Sequence, residues 1–428
     1  VRRGENNGVV PTYTDLMNDD SRLAAARRLD AEDPLAPYRL LFEGHDDDAI
    51  TAYLDGNSLG RPLSATIGRL TAFVRDQWGG RLIRGWDEDW LQLPQQVGDR
   101  IGRITLGAGP GQCVVADSTS VLLYKVIRAA LALRPERSEI VIERDNFPTD
   151  RFIVEGIAAD RGLSVRWVEA DHDAGPTPEG VSRVLSRDTA VVVLSHVAYR
   201  SAHIADMEAI TRQVHDAGAL IVWDLSHSVG SVPVHLDACG ADFAVGCSYK
   251  YLNGGPGAPA WAYVAQRHQT DLSQPIQGWL GSADPFGMGS GYQPAEGIRR
   301  MVSGTPPILG MLALQDMLDV LEDAGMDAVR AKSVRLTSFA VDTVEELMGS
   351  YGVTIASPRD PDQRGSHLTI DHPEFRTMLS DLWNDGVIPD FRNPDGLRLG
   401  LSPLSTSFEE TFIGIRAIAE KLQANLLD

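Results

Sequence analysis

The sequence predicts an α/β protein built on a doubly wound, mainly parallel sheet, with a smaller α+β domain at its C-terminal end. Three observations carry that expectation. From about residue 113, short and almost uninterrupted apolar runs alternate with helical stretches, as in parallel strands covered by helices on both faces. After the proline-rich turn SGTPPILG this alternation gives way to a long helical region and scattered strands. The chain has 428 residues, 43% of them hydrophobic, which is too apolar for disorder and too long for one small core.

Taken in order, residues 1–60 read as an N-terminal arm. It holds helical sequence (LMNDDSRLAAARRLDAED), the acidic loop EGHDDD at 43–48, read as a solvated turn, and the strand and glycine turn of TAYLDGNSLGRPL. A large domain is expected over 61–305. It opens with a helix from about Ser64 to Trp78. The strand CVVAD then leads into a helix through VLLYKVIRAALAL, EIVIE into TDRFIVEGIAADRG, SVRWVEA into a helix near 176–187, and TAVVVLSHV into DMEAITRQVHDAG. ALIVWDL, DFAVGCS and AWAYV complete the sheet. The small domain, 306–428, is expected to begin with one long helical region over roughly 308–349. Strands near 352–357, 366–371 and 397–402 and helices near 373–386 and 408–424 follow.

Composition narrows the function. A net charge of -20 repels nucleic acid and anionic membranes, so neither is an expected partner. No stretch approaches the roughly 20 apolar residues of a membrane span, and VRRGENNGVV has no apolar core of a signal peptide. Cys113, Cys239 and Cys247 are too scattered for a disulfide framework or a zinc site, and no metal site is expected. A cytoplasmic enzyme with a small-molecule substrate fits these limits. LGAGPG at 106–111 is followed by a strand rather than a helix, so it is no dinucleotide loop.

Ligands of open α/β sheets bind at the carboxyl ends of the strands. There ALIVW ends in Asp224, with His227 close behind, and DFAVGC runs into Ser248-Tyr249-Lys250 and the turn YLNGGPG. A structural ion pair is one reading of Asp224 and Lys250. The other is pyridoxal phosphate, whose aldehyde needs a lysine amine and whose ring nitrogen needs a carboxylate to keep its proton. The chain has only four lysines. Lys125 lies inside an amphipathic helix, so its removal is expected to spare the cofactor; Lys332 and Lys421 are placed on polar helix faces. Only Lys250 is followed by glycines that would let a cofactor approach. Asp117, Ser118, Thr119 and Ser120 stand at a strand-to-helix junction suited to a phosphate. Phe147 sits at another strand end beside Pro148, Thr149 and Asp150, and Arg398 interrupts the apolar strand GLRLGLS as a candidate carboxylate clamp.

LDGNSLG, the segment WDLSHSVGSVPVHLDACGADFAVGCSYKYLNGGPGAPA, GWLG, and SGTPPIL followed late by LRLGLSPL resemble the kynureninases. These are fold-type-I pyridoxal-phosphate hydrolases of the aspartate aminotransferase superfamily. The resemblance runs from about residue 50 to about 420 and is most specific between Asp224 and Pro259. It implies that Lys250 forms the Schiff base, that Asp224 partners the ring nitrogen, and that Tyr249 is a catalytic relay acid. It implies further that Thr119, Ser120 and Tyr249 contact the phosphate with His227 close by, and that Phe147 stacks on the ring while Asp150 lines the pocket. Arg398 would take the substrate carboxylate, with Asn57 and Ser58 nearby. Trp279 and Thr305 would reach the active site of the neighbouring subunit, so a homodimer is implied. Ala198 and Ser201 stand where the family usually has Asn and Thr, and Ser405 where Tyr is common, which bears on the substrate pocket.

The implied reaction is hydrolysis of the Cβ–Cγ bond of L-kynurenine, 3-hydroxykynurenine or another ring-substituted kynurenine to an anthranilate and L-alanine. Tryptophan catabolism, NAD biosynthesis and secondary metabolism all use such a step. An aminotransferase or another lyase of the same fold is the alternative. A desulfurase would need a cysteine in the small domain, and none follows Cys247.

Overall fold

The computed structural model describes residues 13–427, with side chains from residue 21 onward. The helix Tyr13–Ala31 leads to β1 (Ala52–Tyr53) and to the helix Ser64–Ala72, which continues as a wider turn over Phe73–Trp78. Then come β2 (Cys113–Ala116), β3 (Glu139–Glu143), β4 (Ser164–Val168), β5 (Thr189–Ser195), β6 (Leu220–Asp224), β7 (Phe243–Gly246) and β8 (Ala260–Val264). They form one seven-stranded sheet in the order β2-β8-β7-β6-β5-β3-β4. β4, β3, β5, β6 and β7 run parallel, whereas β8 is antiparallel to both β2 and β7. The turn after Lys250 brings the chain straight back beside β7, with no crossover helix, and that reversal sets the direction of β8.

Side chains of the central strands alternate between two buried faces, which is why the runs read as continuously apolar. Val141, Ile221 and Trp223 enter the core that holds the helices Leu93–Ile101 and Met207–Asp216. Ile140, Ile142, Leu220 and Val222 enter the core beneath the helices Thr119–Ala132 and Pro148–Arg161. Burying each such side chain stabilises the fold by about 1.5–3 kcal/mol.

The helical region expected to be continuous over 308–349 is two helices, Ile308–Ala324 and Met326–Met348. They part at Gly325, whose φ of 78° a side chain would strain. The first, assigned from sequence to the small domain, buries Met311, Leu314, Met317 and Leu321 in a core of the large sheet. The second packs with the third core, which also takes Ala26, Ala52 and Leu54 from the arm.

The remaining strands are β9 (Thr354–Ile355), β10 (His367–Asp371), β11 (Val387–Ile388), β12 (Asp390–Arg392) and β13 (Gly396–Gly400). β12-β13-β10-β9 form an antiparallel sheet, and β11 pairs in parallel with β1 of the arm. β11 and β12 escaped the sequence reading because they are very short and separated only by Pro389. Lys332 is not on a polar face: it is buried, 2.7 Å from the buried carboxylate of Asp33. Lys421 is partly exposed beside Asp381 and Asp385. Among the described residues no helix is long and apolar enough to cross a membrane, and no group of three His, Cys, Asp or Glu could hold a metal.

One buried charge braces the sheet at the end opposite its ligand-facing edge. Asp242, 1% exposed, accepts hydrogen bonds from the Ile221 amide, His215, His268 and Arg267. Burial alone would raise its carboxyl, but the hydrogen bonds from His215, His268 and the amide outweigh it and hold the group well below the ordinary carboxylate range. A depressed folded pKa contributes stability that is complete above the unfolded value and is lost as pH falls towards the folded one. Asp242→Ala is therefore expected to cost about 3–5 kcal/mol near neutral pH. Urea unfolding should show the gap between parent and variant narrowing below pH 4, roughly the unfolded carboxylate value. A gap independent of pH would refute this role.

Candidate active site

A cleft of about 250 Å³ opens where the carboxyl ends of the parallel strands meet β12 and β13. β6 delivers Asp224, Ser226 and His227; the segment after β7 delivers Tyr249 and Lys250. The segment after β3 supplies Phe147, Thr149 and Asp150, and the first turn of the helix Thr119–Ala132 supplies Thr119 and Ser120. Ser58 comes from the arm, and Arg392 and Arg398 from the small sheet.

Lys250 Nζ lies 3.0 Å from His227 Nε2. Burial pushes the lysine below its usual value, and burial together with the Lys250 charge pushes His227 well below its own. A neutral imidazole facing an easily deprotonated amine suits attack on an aldehyde. The Asp224 Oδ1 accepts from the Ser226 amide at 2.8 Å. Asp150 is 2% exposed and its Oδ2 has no partner. Burial, then the neighbouring Asp224 carboxylate, raise Asp150 well above its usual value. Below them Glu143 is pushed by burial up to about 8. Burial, then Cys247, raises the Tyr249 phenol, which therefore remains a proton donor.

Arg398, 1% exposed, is already gripped. Its Nε and Nη2 bind Asp390 Oδ1 and Oδ2, both at 2.6 Å, its Nη1 donates to the Tyr199 carbonyl at 2.6 Å, and Nη2 also reaches Ser58 Oγ at 3.0 Å. Four of its five donors are engaged, leaving one on Nη1. Arg392 Nη2, 2.7 Å from Asp390, is a second guanidinium at the cleft. Arg392, Ser195 and Tyr199 were missed by sequence reasoning. Arg392 stands in a strand too short to show a period, and Tyr199 lies in a turn, where its ring meets Phe147 edge-on at 5.5 Å.

The structure therefore gathers Lys250, Tyr249, Asp224, Thr119, Ser120, Phe147, Asp150, His227, Arg398 and Ser58 into one cleft. Asn57 is fully buried beneath it, packed against Gly400, with its amide unpartnered. Trp279 and Thr305 are outside this cleft: Trp279 opens the short helical turn Trp279–Gly281, 43% exposed and edge-on to Phe286, and Thr305 is exposed. Nor do the glycines after Lys250 line it. Gly254 is pressed against the Ser248 carbonyl, and Gly255 and Gly257 turn the chain at positive φ into β8. Ala198, Ser201 and Ser405 also lie off the cleft; Ser405 lines a small void beside Tyr251 and Met317.

An amine, a carboxyl pair with one unsatisfied oxygen, hydroxyls at a helix start and two guanidinium groups fit an aromatic aldehyde bearing a phosphate. Comparison with known proteins agrees. A family profile described as the kynureninase C-terminal domain matches residues 329–418. The kynureninase of Pseudomonas fluorescens is 40% identical over 401 residues, covering 92% of this chain and 94% of that one. That of Deinococcus radiodurans is 40% identical over 411 residues, covering 94% and 97%.

The chain belongs to the kynureninase family.

Its fold is that of the fold-type-I pyridoxal-phosphate enzymes. A cysteine desulfurase from Thermococcus onnurineus superposes with a TM-score of 0.76 at 17% identity, covering 87% of this chain and 95% of that one. The cystine C–S lyase C-DES gives 0.75 at 18%, covering 89% and 98%. The kynureninase sequence pattern thus sits on a backbone shared with enzymes of other chemistry.

The Asp390–Arg398 pair can be tested by a double-mutant cycle. Asp390→Leu alone is expected to cost about 3–5 kcal/mol, because Arg398 is left buried and unpaired. Arg398→Leu combined with Asp390→Leu should cost clearly less than the sum of the two single variants. Additive losses in urea unfolding would show that the two charges do not depend on each other.

Proposed function

We propose that this cleft performs the kynureninase reaction, hydrolysing the Cβ–Cγ bond of an L-kynurenine to an anthranilate and L-alanine with pyridoxal phosphate. The observation that carries the assignment of roles is the convergence of Lys250, Asp224 with Asp150, and Thr119 with Ser120 on one cleft. When bound, the cofactor supplies an electron sink for bonds at and beside the substrate α-carbon.

In this reading Lys250 holds the aldehyde until substrate arrives, and its freed amine then moves the Cα proton. His227, neutral and 3.0 Å away, accepts a hydrogen bond from Lys250 and orients it. Asp224 would keep the ring nitrogen protonated, with the Asp150 carboxyl beside it in the cleft. Thr119 and Ser120 bind phosphate, and Phe147 covers the ring. Tyr249, held as a phenol, donates a proton as water adds to the substrate γ-carbonyl and the carbon–carbon bond breaks. The substrate carboxylate meets the remaining Nη1 donor of Arg398, with Ser58 and Arg392 beside it. Asn57 supports that wall from below. Trp279 and Thr305, exposed and outside their own cleft, would complete the site of a second subunit in a homodimer. Kynurenine, 3-hydroxykynurenine and other ring-substituted kynurenines are the substrates to compare. Product analysis with the first two, with no keto acid added, tests the reading: alanine and the matching anthranilate are expected. Release only on addition of a keto acid would favour an aminotransferase.

Two variants separate the roles. Lys250→Ala should lose both the visible absorbance of the lysine-linked cofactor and turnover; absorbance that survives would refute the assignment. Arg398→Ala should lower kcat/KM by about 30- to several-thousand-fold while that absorbance stays intact. Arg398→Lys should recover only part, since an ammonium lacks the fork. A change in Arg398→Ala of less than about threefold, well under 1 kcal/mol, would transfer the clamp to Arg392.

A further inference from the structure

Lys125 is fully buried, and nothing in the reaction as described uses it. It stands in the second turn of the helix Thr119–Ala132, and its side chain runs back towards the helix start, as long helical side chains do. There Nζ pairs with the Asp117 carboxylate and donates to the Met301 carbonyl at 2.8 Å. Asp117 is the hinge between β2 and that helix. Its φ is 45°, in the left-handed region that residues with side chains rarely occupy, and its carbonyl accepts from the Ala260 amide at 3.0 Å. Ser118 then caps the helix, its Oγ accepting from the Val121 amide. The amides of Thr119 and Ser120 have no acceptor within the helix, and both residues line the cleft.

An unusual backbone conformation persists only where its surroundings hold it. A bare carboxylate just before a helix N-terminus would also oppose an incoming phosphate. The buried ammonium answers both problems. It ties the Asp117 side chain to the Met301 segment, and it offsets the carboxylate charge. Burial lowers the pKa of Lys125, while the Asp117 hydrogen bond and charge work against that fall.

We propose that Lys125 is a positioning residue for the phosphate end of the cofactor, fixing the Asp117 turn so that the first-turn amides and the hydroxyls of Thr119 and Ser120 face the cleft. The inference rests on the cofactor reading above. It replaces the expectation from sequence that removing Lys125 would be silent.

The test compares two ligands that share ring and aldehyde but differ in the phosphate. The apo-protein is titrated with pyridoxal phosphate and, separately, with pyridoxal, and binding is followed by absorbance. In Lys125→Met the dissociation constant for pyridoxal phosphate should rise at least about tenfold, while that for pyridoxal stays within about twofold. Lys125→Met combined with Asp117→Asn leaves no unpaired charge and serves as the test should the single variant fail to fold; it should show the same loss confined to pyridoxal phosphate. Equal weakening of both ligands, an unchanged ratio of the two constants, or loss of the fold in the double variant as well would each overturn the proposal and leave Lys125 as a brace of the core. A parent protein that binds neither ligand would instead overturn the cofactor reading itself, and this inference with it.

Discussion

The buried guanidinium of Arg398 ties together the three segments from which the cleft is made. Its own strand, β13, belongs to the small sheet; Tyr199, whose carbonyl it binds, follows β5 of the large sheet; Ser58 belongs to the arm. Asp390, one strand over, takes the planar fork with both oxygens. A charge buried this deeply is tolerated only when nearly every donor is matched. The matching partners come from distant parts of the chain, so the cleft exists only when all three segments are in place. Arg200 adds a second tie of the same kind, pairing with Asp371 at 2.7 Å while its carbonyl accepts from Thr369.

Charge inside the cleft runs against charge outside it. The chain carries -20 overall, which would disfavour a phosphorylated cofactor and a carboxylate substrate on approach. At the cleft and in the layer around it, several acids are muted. Burial raises Asp150 well above its usual value, lifts Glu143 to about 8 and takes Asp55 to about 6, while Asp390 is spent on two guanidinium groups. Arg392 and Arg398 line the cleft beside Lys250, and Asp224 and Asp150 are the acids among its lining. Desolvation, which acts through position rather than residue count, thus reverses locally what composition sets globally.

Much of this was legible in the chain. The apolar runs marked the strands because both faces of a covered parallel sheet are buried, and strand ends carrying Asp224, Lys250 and Phe147 marked the cleft. What stayed hidden depended on partners far away in sequence. Lys332 looks polar on its helix, yet Asp33 in the arm lets it be buried. Lys125 looks like any amphipathic-helix lysine until Asp117 and Met301 are seen to enclose it. The antiparallel course of β8 followed from the turn after Lys250, whose glycines had been read as room for a ligand. Gly325 was visible in the sequence, but a single glycine inside a strongly helical stretch is weak evidence until its φ is known.

The likeness to desulfurases shows how little of the chemistry lies in the backbone. With 17% identity and a TM-score of 0.76 over 87% of this chain, the framework is common property. What differs is what the framework presents. This chain has no cysteine after Cys247, so its small domain offers no thiolate to attack a sulfur on the substrate. It offers instead Arg392 and Arg398, and from the large sheet Tyr249, whose phenol burial keeps protonated. Guanidinium groups and a phenol can hold a carboxylate and pass a proton to a carbonyl oxygen; they cannot take up sulfur. The departures at Ala198, Ser201 and Ser405 leave that set untouched, because none of the three reaches the cleft. What distinguishes this family is therefore carried by the side chains the sequence places on the shared fold, and the fold itself is neutral between chemistries.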